Sequence, residues 1–363
     1  MPFTPRSRIQ AVLRGEDVDR VPFSIYGVLF PRGEADRHLR NQGLAVLERV
    51  RLCRVEMPNV DLASREYYER GVLTARQTAC TPVGEVSRTM KLDPSLGTSW
   101  WDMDYFVKRP EDYKVVEFMV RDTIYCPNYD EYLLTQERWG EDGYVMGDSS
   151  AGLWPCYSPM GLMMYKLLGV ERFGIDFYDH PDEFFSLYET IRQKQREMFQ
   201  VCAQSPAEVV CYAGNIHQDT MGLGRFVEYY LPAINEFAAT MHEHGKLASC
   251  HYDAKMSSLV QAVAESSTDI IEAFTPPPDC DVMVSKARDA WPDKILWVNF
   301  PSSVHLESPE RIRQATLEIL SEAVPGDRFL MGVTEDIPED VRHSSLSVIL
   351  QTISEYGALS IQI

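Results

Sequence analysis

Residues 246–256, KLASCHYDAKM, bring a cysteine, a histidine and an aspartate within four positions at the end of a short apolar run. Cys250, His251 and Asp253 are all metal-ligand types. One residue separates His251 from Asp253, so on an extended segment their side chains point to one side and Cys250 points to the other. The chelating pair is therefore His251 with Asp253. Glu272, in the next apolar run TDIIEAF, offers a third donor, and zinc with three protein ligands keeps a fourth position open for catalysis. On residue types alone a second reading stays open, with His251 as a hydrogen-bonded core residue and Asp253 capping the following helix. His242 and His244 in MHEHGK look similar, but they end a helix before a glycine, where histidine meets the helix dipole.

The elements that must position these groups are legible in the C-terminal half. Strand-like apolar runs fall at 207–214, 246–251, 268–274, 294–300 and 327–333, with helical patterns near 224–244, 255–266, 281–291, 309–323 and 338–356 between them. Nearly continuous apolar strands alternating with amphipathic helices predict a parallel sheet covered on both faces, and five units in a row fit a (β/α)8 TIM-type barrel. The dinucleotide fingerprint GxGxxG after a strand is absent, which counts against a doubly wound sheet. In the N-terminal half, 19–27 and 143–148 read as strands, 43–53 and 159–169 as helices, and 65–92 as a β-meander. The whole chain, 1–363, reads as one barrel domain with an insertion near 65–140.

A barrel places its chemistry at the C-terminal ends of its strands. Those ends carry Asn215, His217 and Asp219; then Cys250, His251 and Asp253; then Glu272; then Asn299; and finally Thr334, Glu335 and Asp336. The formal charge of −19, from 54 acidic against 35 basic residues, argues against a nucleic-acid or anionic-membrane partner. No apolar run reaches membrane-span length and the first residues lack a signal-peptide core, so a cytoplasmic location is expected. The eight cysteines contain no CxxC pair and read as buried small apolar residues rather than a disulfide framework.

TPRSRIQAVLRGEDVDRVPF near the start, TPVGEV at 81–86, VKRPEDYKVV at 107–116, LPAINEFAATMHEHGKLASCHYDAKMSSLV at 231–260 and RFLMGVTEDIP near the end resemble the uroporphyrinogen decarboxylase superfamily. The resemblance spans nearly the whole chain and implies a (β/α)8 barrel. True decarboxylases of this superfamily carry an arginine-rich PVWxMRQAGR stretch that meets the porphyrinogen carboxylates. Here the same place reads PFSIYGVLFPRG, with Arg32 its only basic residue, a poor clamp for a polycarboxylate. The PVGEV and RPEDYK segments are more similar to the corrinoid and coenzyme M methyltransferase branch.

Thiol-activating members of that branch hold zinc with HxC, in some relatives a glutamate about twenty residues on, and a distant cysteine. By that resemblance His251 matches the histidine, Asp253 stands at the first cysteine, Glu272 follows, and Val333 or Thr334 stands at the last cysteine. A His/carboxylate zinc site is a harder Lewis acid, suited to polarising an oxygen rather than activating a thiol. The implied activity is transfer of a methyl group from a small methoxylated, potentially aromatic, compound to a corrinoid carried by a partner protein, since no corrinoid-binding DxHxxG motif is present. The expected metal ligands are His251, Asp253, Glu272 and Glu335. His217, Asp219 and Tyr252 are the expected catalytic groups, and Asn215, Tyr212 and Trp154 the expected substrate contacts. A homodimer is one option for the assembly. The alternatives are a metal-free decarboxylase of a smaller acid and a non-catalytic binding protein on the same barrel.

Overall fold

The computed structural model describes residues 2–30, 33–92, 100–324 and 326–356, so Arg32 lies outside the described residues. The chain forms two compact units. One comprises Met1–Arg51, Tyr129–Asp148 and Ser205–Ile363; the other comprises Leu52–Asn128 and Ser149–Gln204.

The first unit is a closed barrel of eight parallel strands, numbered here β1 (Phe23–Tyr26), β2 (Leu44–Arg51), β3 (Gly143–Asp148), β4 (Val209–Tyr212), β5 (Leu247–His251), β6 (Ile270–Phe274), β7 (Ile295–Asn299) and β8 (Phe329–Val333). Each pairs with its neighbours in chain order, and β1 closes the ring between β8 and β2. The expected (β/α)8 barrel is therefore present. The segment 43–53 differs from its reading as a helix, because most of it is strand β2. Its apolar residues Leu44, Leu47 and Val50 lie at helix-like spacings, but both faces of a barrel strand are covered. The polar positions between them are used in opposite directions. Glu48 accepts a hydrogen bond from the Trp139 indole on the Tyr129–Trp139 helix (3.1 Å), while Arg49 reaches Asp148 and Tyr26, the end residues of β3 and β1.

Inside the barrel the Trp297 indole donates to Ser24 Oγ at 3.0 Å, joining β7 to β1. The intervening strand carries Gly332, where a Cβ would stand 2.9 Å from Ser24 Oγ and 3.1 Å from Trp297 Nε1. Only glycine admits that pair.

At the opposite end two lysines brace the strand starts. Lys294, just before β7, donates from Nζ to the Ser266 and Thr268 carbonyls (2.6 and 2.9 Å), and Lys246, just before β5, does the same to Ser205 and Ala207 (both 2.6 Å). Lys294 is buried, and burial pushes its amine below the ordinary lysine value. Lys294→Met keeps the apolar stem but strands two carbonyls, and urea unfolding is expected to show a loss of about 2–3 kcal/mol.

The second unit contains an antiparallel pair, Cys53–Glu56 with Ile124–Pro127, and a four-stranded meander of Asp61–Glu69, Val72–Thr81, Gly84–Leu92 and Trp101–Asp102. Arg70 and Gly71 turn the first hairpin, both with positive φ (51° and 83°), as a two-residue turn matched to strand twist requires. Helix Pro181–Ala203 packs on helix Tyr113–Asp122 in the same unit. No helix among the described residues is long and apolar enough to cross a membrane.

Candidate active site

The C-terminal ends of five barrel strands deliver one connected set of polar side chains. His251 ends β5 and pairs across the ladder with Glu272 of β6. Nδ1 of His251 lies 2.5 Å from Glu272 Oε2, and Nε2 lies 3.2 Å from Asp253 Oδ2. The other Glu272 oxygen accepts from the Tyr26 hydroxyl of β1 at 2.5 Å. Arg49 of β2 donates to that hydroxyl at 3.5 Å and forms an ion pair with Asp148 of β3 (2.6 Å). The chain runs Asp148, Arg49, Tyr26, Glu272, His251, Asp253. Glu272 is fully buried, and His251 and Asp148 are buried too.

Glu272 keeps the regular register of β6 with both neighbouring strands, and a break in strand regularity follows it. On a regular strand Glu272 and Phe274 would share a face. Here β6 bulges between them, and Ala273 takes φ +59°, a left-handed conformation costly for a residue with a Cβ. Glu272 faces Tyr26 and His251, while Phe274 meets the Trp291 ring edge-on in the helical layer (centroids 5.8 Å). Strain of this kind is characteristic of functional sites.

The electrostatics follow from these contacts. Burial alone would push the His251 imidazole down, but Glu272 and Asp253 override it and hold the ring up at about 10. Both ring nitrogens face carboxylate oxygens, so the ring is an imidazolium donating on both sides. Burial likewise opposes charge on Glu272 and Asp253, and His251 reverses that in each, so both carboxyls fall below their ordinary values. Arg49 and Tyr26 add to the effect on Glu272. Tyr26 is raised by burial and then by Glu272. Glu335 sits exposed beyond β8, and partial desolvation followed by the charge of Asp253 pushes its carboxyl up.

Of the residues expected from sequence, His251, Asp253 and Glu272 are brought together, and Glu335 lies within electrostatic reach of Asp253. His217 is half-exposed, caps helix Gln218–Arg225 by accepting from the Asp219 N–H (3.1 Å), and also reaches Asp253 electrostatically. Asp219 is exposed, and Asn215 occupies the loop after β4 with φ +54°.

Three of the expected residues are packed in other surroundings. Tyr212 stacks on Phe237 in the helical layer (4.8 Å), because the inward position of β4 belongs to its neighbours. Tyr252 follows His251 and so takes the opposite face, fully buried among Cys250, Ser266 and Thr268. Trp154 belongs to the second unit, where its buried indole donates to Thr123 Oγ1 (3.0 Å). Tyr26, Arg49 and Asp148 are site residues that the sequence reading did not single out. Each stands at or near a strand end, the signal that would have found them.

The donor set also tests the expected zinc. Glu272 occupies the Nδ1 side of His251, the place an outer carboxylate takes beside a metal-bound histidine. That leaves His251 Nε2 and Asp253 on a common side, one short of the three protein ligands of a catalytic zinc. Among the described residues no group of three histidine, cysteine or carboxylate side chains is arranged to hold a metal ion. The residues as placed do not fit zinc. Elemental analysis of the purified protein is expected to find well under one equivalent; a full equivalent lost in Asp253→Asn would show that the donors rearrange.

Three comparisons bear on kinship. No curated protein matches the sequence. Among solved structures the chain is similar to a methyltransferase from Methanosarcina mazei, at 13% identity and a TM-score of 0.57, covering 98% of this chain and 99% of that one. A structure from work on N-glycan recognition and hydrolysis by a pneumococcal virulence factor aligns at 8% identity over 96% of this chain and 85% of that one, and its TM-score of 0.38 carries no weight. The family model for uroporphyrinogen decarboxylase (URO-D) matches residues 155–356, more than half of the sequence. With that match, and with a closed parallel barrel whose strand ends assemble the buried site, the chain belongs to the uroporphyrinogen decarboxylase family.

Proposed function

We propose that this chain is a methyltransferase that removes the methyl group of a small methoxylated compound, with a corrinoid on a separate protein as the acceptor. The observation that carries the reading is the His251 ring held between Glu272 and Asp253 at the C-terminal end of the barrel. When a methyl group leaves an ether, the departing oxygen becomes an alkoxide or phenoxide unless it is protonated. The proton on Nε2 is the one placed to meet it: as the carbon–oxygen bond breaks, the N–H bond breaks and an O–H bond forms. The product is the alcohol or phenol, and the methyl group passes to the acceptor. Glu272 and Asp253 raise the ring's hold on that proton, so it stays on Nε2 until negative charge develops on the departing oxygen. Asp253 turns from a partner of the imidazolium to a partner of the new hydroxyl, and Glu272 holds the ring in place throughout. The full-length likeness in fold to a methanogen methyltransferase is consistent with this reading.

Charge weighs against decarboxylation of a small acid. The arginine of the network, Arg49, is engaged by Asp148, while Asp253 and Glu335 line the outer side of the site. An anionic substrate would meet like charge there.

The test supplies purified protein with methoxyphenols and chemically reduced cobalamin, and follows methylcobalamin by its absorbance and the free phenol by chromatography. Matched appearance of both supports the reading. Carbon dioxide release from carboxylated substrates without any methyl transfer would replace it with the decarboxylase.

A further inference from the structure

The second unit contains a pair of thiols that the proposed reaction does not use. Cys53, the first residue of strand Cys53–Glu56, and Cys202, in the last turn of helix Pro181–Ala203, are both buried, with their sulfurs 3.7 Å apart. They lie 149 residues apart in sequence. The Tyr125 phenol, on the strand paired with Cys53–Glu56, is within electrostatic reach of both sulfurs. Sulfurs already in contact need only a small side-chain adjustment to reach the bond length of about 2.05 Å.

We propose that Cys53 and Cys202 are a reversible disulfide couple, oxidised by hydrogen peroxide, that fastens the second unit at its two covalent ends. Cys53 stands two residues beyond the end of β2, and Cys202 stands just before the chain re-enters the barrel unit at Ser205. A bond between them closes the unit where its chain begins and finishes. In the first step one thiol, as its thiolate, attacks peroxide. The O–O bond breaks, a sulfenic acid forms, and the departing hydroxide takes up the thiol proton as water. The second thiol then attacks that sulfur, the S–O bond breaks, the S–S bond forms and a second water leaves. Two thiols lose two electrons and one peroxide accepts them. The bond restricts the unfolded chain across a long loop, so the oxidised protein is the more stable form.

The other cysteines provide the internal control. Cys80 is exposed and Cys126 is partly exposed, so both meet reagents before the buried pair does. Full-length protein is treated with peroxide, alkylated under denaturing conditions and digested without reduction. The expected result is a peptide linked through Cys53 and Cys202, with a Tm rise on the order of 5 °C, both reversed by dithiothreitol and both absent in Cys202→Ala. Comparison of oxidised with reduced wild type needs no variant to fold. Recovery of Cys53 and Cys202 as alkylated free thiols while Cys80 and Cys126 are oxidised overturns the proposal, and so does a linked peptide without a change in Tm.

Discussion

In His251→Ala, kcat/KM for methyl transfer from a methoxyphenol falls by about 10³, the scale set by losing a positioned general acid. The loss is expected chiefly in kcat, because the ring gives its proton as the carbon–oxygen bond breaks rather than while the donor binds. The same change takes from the fully buried Glu272 the cation it touches and leaves only Arg49, beyond the Tyr26 hydroxyl. Glu272 keeps the Tyr26 hydroxyl but loses its nearest counter-charge, so the variant also loses on the order of 3 kcal/mol of stability. His251→Gln separates the two effects: its amide donates a hydrogen bond to a carboxylate but has no proton to give. Rates within tenfold of wild type in both variants, in folded protein, would remove His251 from the chemistry.

The second large effect is on stability against pH, and its sign follows from the direction of each shift. His251 in the folded protein is raised to about 10 from an ordinary value of 6.5. Its contribution is complete below the unfolded value, declines as pH rises above it, and is gone above the folded value. Glu272 and Asp253 are lowered, so their contribution is present above their ordinary values and is lost on acidification through the folded ones. Wild-type stability should therefore peak near pH 5–6.5 and fall by a few kcal/mol between pH 6.5 and 10, on the order set by a shift of this size. Urea unfolding at pH 6, 8 and 10 checks it. The alkaline decline flattens in His251→Gln, whereas tyrosines and lysines that titrate in the same range act in both proteins. An equal decline in the two would mean that the ring is not held charged.

The barrel was legible because its C-terminal strands are short apolar runs buried on both faces, a pattern that no amphipathic helix shares. β2 was not legible, and the cause is the site itself. A strand that sends Glu48 outward to Trp139 and Arg49 inward to Asp148 carries charges in the middle of an apolar run, and the remaining apolar spacing imitates a helix. Misreading it hid Arg49 and the pair that Arg49 forms with Asp148. His251, Asp253 and Glu272 are legible because they lie at the ends of apolar strands in the half of the chain whose strand pattern is clear. Residue types do not convey which ring nitrogen each carboxylate meets: Glu272 reaches Nδ1 from the neighbouring strand and Asp253 reaches Nε2 from the loop after β5.

The two units are interleaved along the sequence. β3 lies between the two segments of the second unit, so a fragment running from 52 to 204 also carries Tyr129–Asp148, including a strand whose six residues are all buried. Expressed alone, that fragment would present Gly143–Asp148 with neither β2 nor β4 beside it, an unpaired edge prone to self-association. Neither unit can be transplanted as a contiguous cassette. Recombination that breaks the gene at either boundary disrupts both units, so the pair is inherited, and must be engineered, as one piece.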